Sequence, residues 1–239
     1  MELSKNLPTT SVSPMSAFIS MFYEPTKTFQ QLEPAPKSWF PAIVLMVAMV
    51  ILFGWYFSMV DFAWLLDQML ANKPAEEREQ AEKFMSKSVM QTSTLGGTLV
   101  MLPLTFAIMG VYLMIVSKFV SNGISFGKGF ALAAWSSIPG VLLLPLGAMQ
   151  ILMNSSGQLG FSELNPVSLN QLVFNYDMTH PLAGVMDNLS LSTFWSMFLT
   201  IIGFEVWAKT KRSTAILAVV VPYAIIYGLW FAYGMSKLA

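Results

Sequence analysis

The sequence predicts an all-α, polytopic membrane protein with five transmembrane helices. Three observations lead to this class: five uninterrupted apolar segments, a charged content of only 11%, and the absence of lysine and arginine between Lys128 and Lys209. A helix needs about 20 apolar residues to cross a bilayer, and soluble domains carry about 25% charged residues. The expected spans are residues 39–59, 95–117, 129–153, 189–207 and 214–235.

Residues 1–38 precede the first span, and we interpret them as a cytoplasmic segment ahead of the transmembrane domain, residues 39–239. Apolar side chains recur among polar neighbours on both sides of Pro25. This spacing is typical of short amphipathic helices that lie on a membrane surface. We therefore expect two such helices, with four candidate interaction residues: Phe22, Pro25, Phe29 and Leu32.

The distribution of basic residues predicts the orientation. With the amino terminus in the cytoplasm, eight basic residues fall inside: Lys5, Lys27, Lys37, Lys118, Lys128, Lys209, Lys211 and Arg212. Five fall outside: Lys73, Arg78, Lys83, Lys87 and Lys237. Because basic residues are enriched in cytoplasmic loops, this orientation is favoured, and the carboxyl terminus then lies outside.

The connection between the first two spans carries a helix signal. Asn72 is expected to cap the helix and Pro74 suits its first turn, while Glu79 and Lys83 have i, i+4 spacing for an ion pair. An apolar stripe that includes Phe84 then leads toward the second span. We expect a helical extension out of the bilayer, with Phe84 as a candidate interface residue.

The connection between the third and fourth spans, residues 154–190, is far longer than most loops and is expected to have internal structure or a binding role. Asn165 and Pro166 indicate the start of a short helix that continues through Phe174. Phe174 is therefore a further candidate interaction residue on the outside of the membrane.

The residues that carry most catalysis and metal binding are scarce. The chain has no cysteine and one histidine, His180, whereas zinc sites need three or four strong ligands. It has no Walker A sequence. These observations argue against an enzyme, a metal site and a cofactor. The net charge of zero argues against a nucleic-acid partner.

Four prolines fall inside the predicted spans: Pro103, Pro139, Pro145 and Pro222. Each removes one backbone hydrogen bond and is expected to kink its helix. Broken helices line the substrate sites of many transporters. Because no charged residue lies at the centre of a span, a role in packing geometry is favoured.

Small and charged residues of the spans indicate further contacts. Glu205, near the cytoplasmic end of the fourth span, is expected to pair with Lys209 one turn on, and a role in contacting a partner is the alternative. Five glycines are expected to permit close helix approach: Gly96, Gly97, Gly110, Gly140 and Gly147.

Three stretches resemble the Yip1 family of membrane proteins, particularly its bacterial branch. Residues 22–32, followed by Trp39 and Pro41, are similar to the family's Pro-x-x-x-Phe-x-x-Leu entry to its first helix. Residues 125–140 resemble its third-helix opening of aliphatic or aromatic, small, small and proline. Residues 194–215 form a helix, a short basic turn and a final helix, as in the family.

The resemblance implies five membrane helices, a cytoplasmic amino terminus and, in eukaryotic members, vesicle traffic and small-GTPase binding. This chain has Lys-Ser-Trp-Phe-Pro at residues 37–41 where those members have an acidic Asp-Leu-Tyr-Gly-Pro run, which argues against GTPase binding. The bacterial branch implies a non-enzymatic inner-membrane protein, with a periplasmic carboxyl terminus in the orientation above. Some of its members are associated with ABC exporters of the macrolide-exporter type.

The preferred interpretation is an accessory or scaffold protein that binds other membrane proteins within the lipid bilayer. The first alternative is a small transporter or lipid-handling protein that uses the proline-kinked third and fifth spans. The second is an intramembrane enzyme, which the residue content disfavours.

Overall fold

The computed structural model describes residues 12–120 and 123–238, and it is built from helices and their connections. Within these ranges the chain forms eleven α-helices: α1 Pro14–Ser20, α2 Pro25–Leu32, α3 Trp39–Met59, α4 Phe62–Met69, α5 Ala75–Phe84, α6 Lys87–Val120, α7 Phe126–Ser136, α8 Leu143–Met153, α9 Ala183–Asn188, α10 Leu191–Ala208 and α11 Arg212–Met235. It also contains the 3₁₀ segments Ile138–Leu142 and Phe161–Leu164 and the π-helical turn Asn170–Phe174. The predicted all-α class is confirmed.

Five membrane-spanning candidates are present in the described ranges, and they match the five predicted spans: α3, α6, α7 with α8, α10 and α11. The first span has the predicted bounds. The second was predicted too short, because α6 begins at Lys87 and extends over 34 residues. The polar residues at its start do not end the helix, since no proline or capping signal intervenes before residue 95.

The two predicted amphipathic helices are present as α1 and α2, and part of their apolar side chains turn toward the protein, while Met15 and Ile19 are exposed. Met21, Phe29 and Leu32 are fully buried in a core shared with α7 and α10. These three side chains therefore contact protein rather than lipid, and the placement of the two helices on the membrane surface stays a prediction. Ser13 caps α1 through its side-chain oxygen, and α2 begins at Pro25. The first eleven residues of the predicted 1–38 segment lie outside the described residues.

Glycine allows two close helix crossings in the core. A Cβ built on Gly129 of α7 would lie 2.4 Å from the carbonyl oxygen of Gly110 on α6, and one on Gly203 of α10 would lie 2.2 Å from Leu132. The predicted close approach is thus confirmed at Gly110, and it also holds at Gly147, where a Cβ would lie 2.7 Å from Leu52.

The remaining predicted glycines are not close-packing positions within the described chain. The nearest contact of Gly140 is an ordinary 3.4 Å to a Leu45 methyl group. At Gly96 and Gly97 no described atom lies within 4 Å of an added Cβ, so a close helix approach there stays a prediction.

The third span is interrupted rather than bent. The helix α7 ends at Ser136, the 3₁₀ segment containing Pro139 follows, and α8 then continues with Pro145 in its first turn. A first-turn proline lacks an N–H that would have no helical partner in any case. Two other prolines, Pro103 and Pro222, lie inside α6 and α11.

Two details of the first connection differ from prediction. Pro74, not Asn72, occupies the residue before α5, and it makes no side-chain cap. The residues Met85 and Ser86 separate α5 from α6, so the extension is not one continuous helix. The predicted Glu79–Lys83 ion pair is confirmed at 2.8 Å.

The predicted internal structure of residues 154–190 is confirmed. A short helix through Phe174 is present, but it is the π-helical turn Asn170–Phe174 and it does not start at Asn165. The backbone of Ser168 instead bridges to that of Ser190, at the start of α10. This bridge holds the connection across one end of the helix bundle, hereafter the loop side.

Candidate functional site

A cavity of about 390 Å³ opens between the helices toward the loop side. Its walls come from α3, α6, the interrupted third span, α10, α11 and the connection 154–190. This volume falls in the lower part of the range of small-molecule sites. The cavity combines an apolar wall and a polar wall, so it is amphipathic.

The apolar wall is built by side chains of three spans, which include Leu45, Met49, Leu102, Phe106 and Leu143. The polar wall is built where α10 begins beneath the connection 154–190. It includes Asn165, Asp187, Asn188, Ser190, Thr193 and Ser196.

Local sequence explains why the chain leaves space here. The break in the third span brings Ser137 and Gly140 to the cavity wall, and Gly140 contributes no side chain. On α11, Tyr223 directly follows Pro222 and stacks with Tyr227 at 6.1 Å between ring centroids, and both tyrosines line the cavity. Because Leu102 also lines it, the cavity lies beside three of the four prolines that the sequence singles out: Pro103, Pro139 and Pro222.

Asp187 is the only charged side chain among the described residues of the cavity wall. Its carboxylate accepts a 2.8 Å hydrogen bond from Asn170 Nδ2, and no lysine or arginine of the described chain forms a salt bridge with it. Burial raises the pKa of Asp187, although the bond from Asn170 opposes this shift. The Asp187 carboxylate therefore lies in the cavity wall without a cationic partner among the described residues.

Asn170 holds this arrangement in place. Its Nδ2 also donates to the carbonyl oxygen of Tyr176, and its Oδ1 accepts from the backbone N–H of Tyr176 at 2.8 Å. Asn165 Nδ2 donates to the Asp187 carbonyl oxygen at 3.4 Å, while Asn165 Oδ1 is buried without a hydrogen-bond partner among the described residues. Buried amides thus fix the position of Asp187 at the cavity.

At the opposite end of the bundle, the amino-terminal helices are fastened to the spans. Trp207 Nε1 donates to the carbonyl oxygen of Phe29, and Trp135 Nε1 donates to that of Pro36. The carboxylate of Glu33 lies 3.3 Å from the Lys128 ammonium and 4.0 Å from that of Lys209. These contacts join residues far apart in sequence.

The predicted pair of Glu205 with Lys209 is wrong. Glu205 forms its ion pair with Arg212, because Lys209 ends α10 in a left-handed conformation and directs its side chain toward Glu33. A free carboxylate for a partner is therefore not available at this position without breaking that pair.

The other predicted interaction residues are dispersed. Phe29 and Leu32 are buried within the chain, while Phe22 packs edge-on against Trp195 at 5.3 Å. Phe84 is 80% exposed, and Phe174 is partly exposed and stacks on Tyr176. The fold does not bring these side chains to one surface, and their contact with a partner stays a prediction.

The acids and the histidine do not form a metal site in the described ranges, where no group of three or more such ligands converges. His180 stacks on Tyr176 with ring centroids 3.8 Å apart, and its Nδ1 accepts from the backbone N–H of Leu182. Its contacts are those of a side chain that orders the connection 154–190.

Together, the five apolar spans and the amphipathic cavity define a polytopic α-helical membrane protein. The Yip1 domain matches residues 19–233, so the chain belongs to the Yip1 family. The resemblance to the Yip1 family is thereby confirmed, whereas the assignment to its bacterial branch stays a prediction. No curated protein and no solved structure matches the chain.

Proposed function

We propose that the protein is a non-enzymatic accessory or scaffold protein that binds another membrane protein through the amino-terminal half of α6, which begins at Lys87. The observation that carries this proposal is a set of small residues along that half, which this chain leaves uncovered. They are Ser88, Thr92, Ser93, Gly96 and Gly97. No described atom lies within 4 Å of a Cβ added at Gly96 or Gly97.

Small residues at i, i+4 spacing let the backbones of two membrane helices approach closely, which is how helices associate where no hydrophobic driving force exists. Ser88, Thr92 and Gly96 have this spacing, as do Ser93 and Gly97. Only 17% of the most apolar stretch of α6 is buried within the chain. A transmembrane helix of a partner is the occupant that fits this face, and exposed Phe84 lies just before it.

We place the protein in a bacterial inner membrane, with its amino terminus cytoplasmic and its carboxyl terminus periplasmic. Support comes from the basic turn at Lys209, Lys211 and Arg212 and from the lysine-free connection 154–190. Within the family resemblance, the first partner class to examine is an ABC exporter of the macrolide-exporter type.

The test is co-purification from native membranes in mild detergent, with mass spectrometry of the attached proteins. Gly96→Leu and Gly97→Leu should remove the partner while the protein stays folded. Gly228→Leu is the matched control, because Gly228 of α11 is also exposed with no described atom within 4 Å of an added Cβ. Equal retention of the partner by all three variants, or recovery of the wild type alone, would contradict the proposal.

The second candidate function is that of a small transporter or lipid-handling protein, and the cavity is the observation that favours it. The cavity touches the interrupted third span at Gly140 and the fifth span at Tyr223, next to Pro222. In transporters, interrupted helices near the midplane line substrate sites. Pure protein in liposomes should then move a fluorescent phospholipid between leaflets, and Thr105→Phe, which narrows the cavity, should slow it. Inactivity of the wild type with both ethanolamine and choline lipids counts against this candidate.

A further inference from the structure

We propose that the cavity binds the ammonium head of an amphiphile, with Asp187 as the counterion and the apolar wall as the site of the alkyl chain. This inference deepens the lipid-handling candidate by naming the ligand chemistry. Binding is tested separately from lipid movement, so the two can fail independently.

The charge of the head follows from Asp187. The carboxylate is held by Asn170 at 2.8 Å, and no described cation neutralises it. An anionic head would meet a like charge in a medium of low dielectric, which is unfavourable, while a cationic head gains an ion pair that water screens poorly. The group that contacts Asp187 is therefore cationic, and the phosphate of a zwitterionic lipid would lie away from this carboxylate.

The hydrogen-bonding groups favour an ammonium that carries N–H donors. The hydroxyl groups of Ser190, Thr193 and Ser196 line the same wall, and Ser190 Oγ lies 3.0 Å from Thr193 Oγ1. Hydroxyl and carboxylate oxygens accept hydrogen bonds, and a primary ammonium has three donors and no acceptor. A trimethylammonium has the same charge and no donor, so it should bind more weakly.

The apolar wall explains why the ligand is an amphiphile. Leu102 and Phe106 on α6 face the cavity together with Leu45 and Met49 on α3. Toward the other end of the bundle, Tyr112 Oη of α6 donates to the Ala218 carbonyl oxygen of α11, which closes the gap between the two helices. The cavity lies on the loop side of this contact, where both helices line it.

Two sources supply this chemistry: an ethanolamine phospholipid of the membrane and a soluble alkylammonium. A cavity of about 390 Å³ holds the head and the first part of a chain. Both sources are amphiphiles that carry a primary ammonium and an alkyl chain, and the experiment separates them.

The soluble arm measures binding of octylammonium to the full chain in phosphatidylcholine nanodiscs by calorimetry, with empty discs as the blank. At pH 7 an alkyl amine is protonated. Asp187→Asn should weaken octylammonium binding at least tenfold and leave octanol binding unchanged. The matched control is Asp177→Asn, an aspartate of the same connection that does not line the cavity. Wild-type affinity in Asp187→Asn would overturn the proposal.

A second variant addresses the space rather than the charge. Thr105→Phe fills the cavity from α6 and should abolish binding of both octylammonium and octanol, whereas Leu104→Phe, on the exposed side of α6, should not. Both substitutions leave Asp187 in place. If Thr105→Phe binds both probes like the wild type, the site is not this cavity.

The membrane arm uses native mass spectrometry of protein released from vesicles with equal ethanolamine and choline phospholipid. Preferential retention of the ethanolamine lipid, lost in Asp187→Asn, assigns the ligand to the membrane. Octylammonium binding without such retention assigns it to a soluble source. Failure of both arms overturns the inference, and lipid movement in liposomes is measured apart from either.

Discussion

Trp207 Nε1 donates a 2.7 Å hydrogen bond to the carbonyl oxygen of Phe29, which lies 178 residues earlier in the chain. The Phe29 ring meets the Trp207 ring edge-to-face at 5.5 Å between centroids. Phe29 belongs to the last turn of α2, where carbonyl groups lack a partner within the helix. Trp207, which belongs to α10, thus caps the carboxyl end of α2 and also packs against the apolar face of α2.

Replacement of this tryptophan should destabilise the protein. Trp207→Phe keeps an aromatic ring but leaves the buried Phe29 carbonyl without its donor, which costs about 1–3 kcal/mol. The expected result is a lower thermal unfolding temperature in detergent and faster proteolysis of the amino-terminal helices. Trp39→Phe is the control, because Trp39 is 59% exposed. Equal melting temperatures for the two variants would show that this contact does not fasten α2.

The crossing of α6 and α7 gives a second prediction. In Gly129→Ala the new methyl group would lie 2.4 Å from the Gly110 carbonyl oxygen, a backbone atom that cannot rotate away. Overpacking of this kind costs about 1–3 kcal/mol. Gly127→Ala on the same helix meets no described atom within 4 Å and should be neutral or slightly stabilising, since alanine favours a helix. Chemical unfolding of both variants decides the matter, and equal stability would contradict the crossing geometry.

The spans could be predicted because hydrocarbon imposes a simple rule on sequence. A segment that crosses the bilayer must be apolar over its full length, so residues 39–59 are recognisable without any contact information. The same rule contains no information on where a helix ends in water. This is why the second span was predicted to begin at residue 95, although α6 begins at Lys87.

The cavity could not be predicted, because its walls depend on contacts that periodicity does not encode. Asp187 appears in the sequence only as an acid near His180, and the importance of Asn170 is visible only once the connection 154–190 folds back on α10. Likewise, the apolar residues around Phe29 show the same sequence pattern whether they face lipid or protein. In the structure, hydrogen bonds from the indoles of Trp135 and Trp207 to backbone carbonyl groups hold this segment against the protein.

The proposed orientation predicts a labelling pattern. The chain has no cysteine, so single replacements at exposed serines report their own compartment. A membrane-impermeant maleimide on intact cells with a permeable outer membrane should label Ser155→Cys and Ser236→Cys. It should label Ser213→Cys only after lysis, because Lys209, Lys211 and Arg212 keep that turn in the cytoplasm. Labelling of all three sites in intact cells, or of Ser213→Cys alone, would contradict the orientation.

The raised pKa of Asp187 predicts that its ionised carboxylate lowers the free energy of unfolding. Burial lifts its pKa above the ordinary value of 3.8, so the folded state binds the proton more tightly than the unfolded state. The free energy of unfolding therefore falls as the pH rises from below 3.8 through the raised pKa.

Asp187→Asn removes the ionisable group but keeps an oxygen that can accept from Asn170, so it should melt at a higher temperature than the wild type at pH 7. The difference should shrink as the pH falls and vanish once the aspartate is protonated in both states. In Asp177, hydrogen bonds from Thr179 lower the pKa, so Asp177→Asn should not melt above the wild type at pH 7. Thermal unfolding in detergent across this pH range measures both variants. If Asp187 serves ligand binding at the expense of stability, Asp187→Asn should be more stable at pH 7 and should lose octylammonium binding. Melting temperatures of Asp187→Asn and the wild type that stay equal across the pH range would argue that the carboxylate is not desolvated.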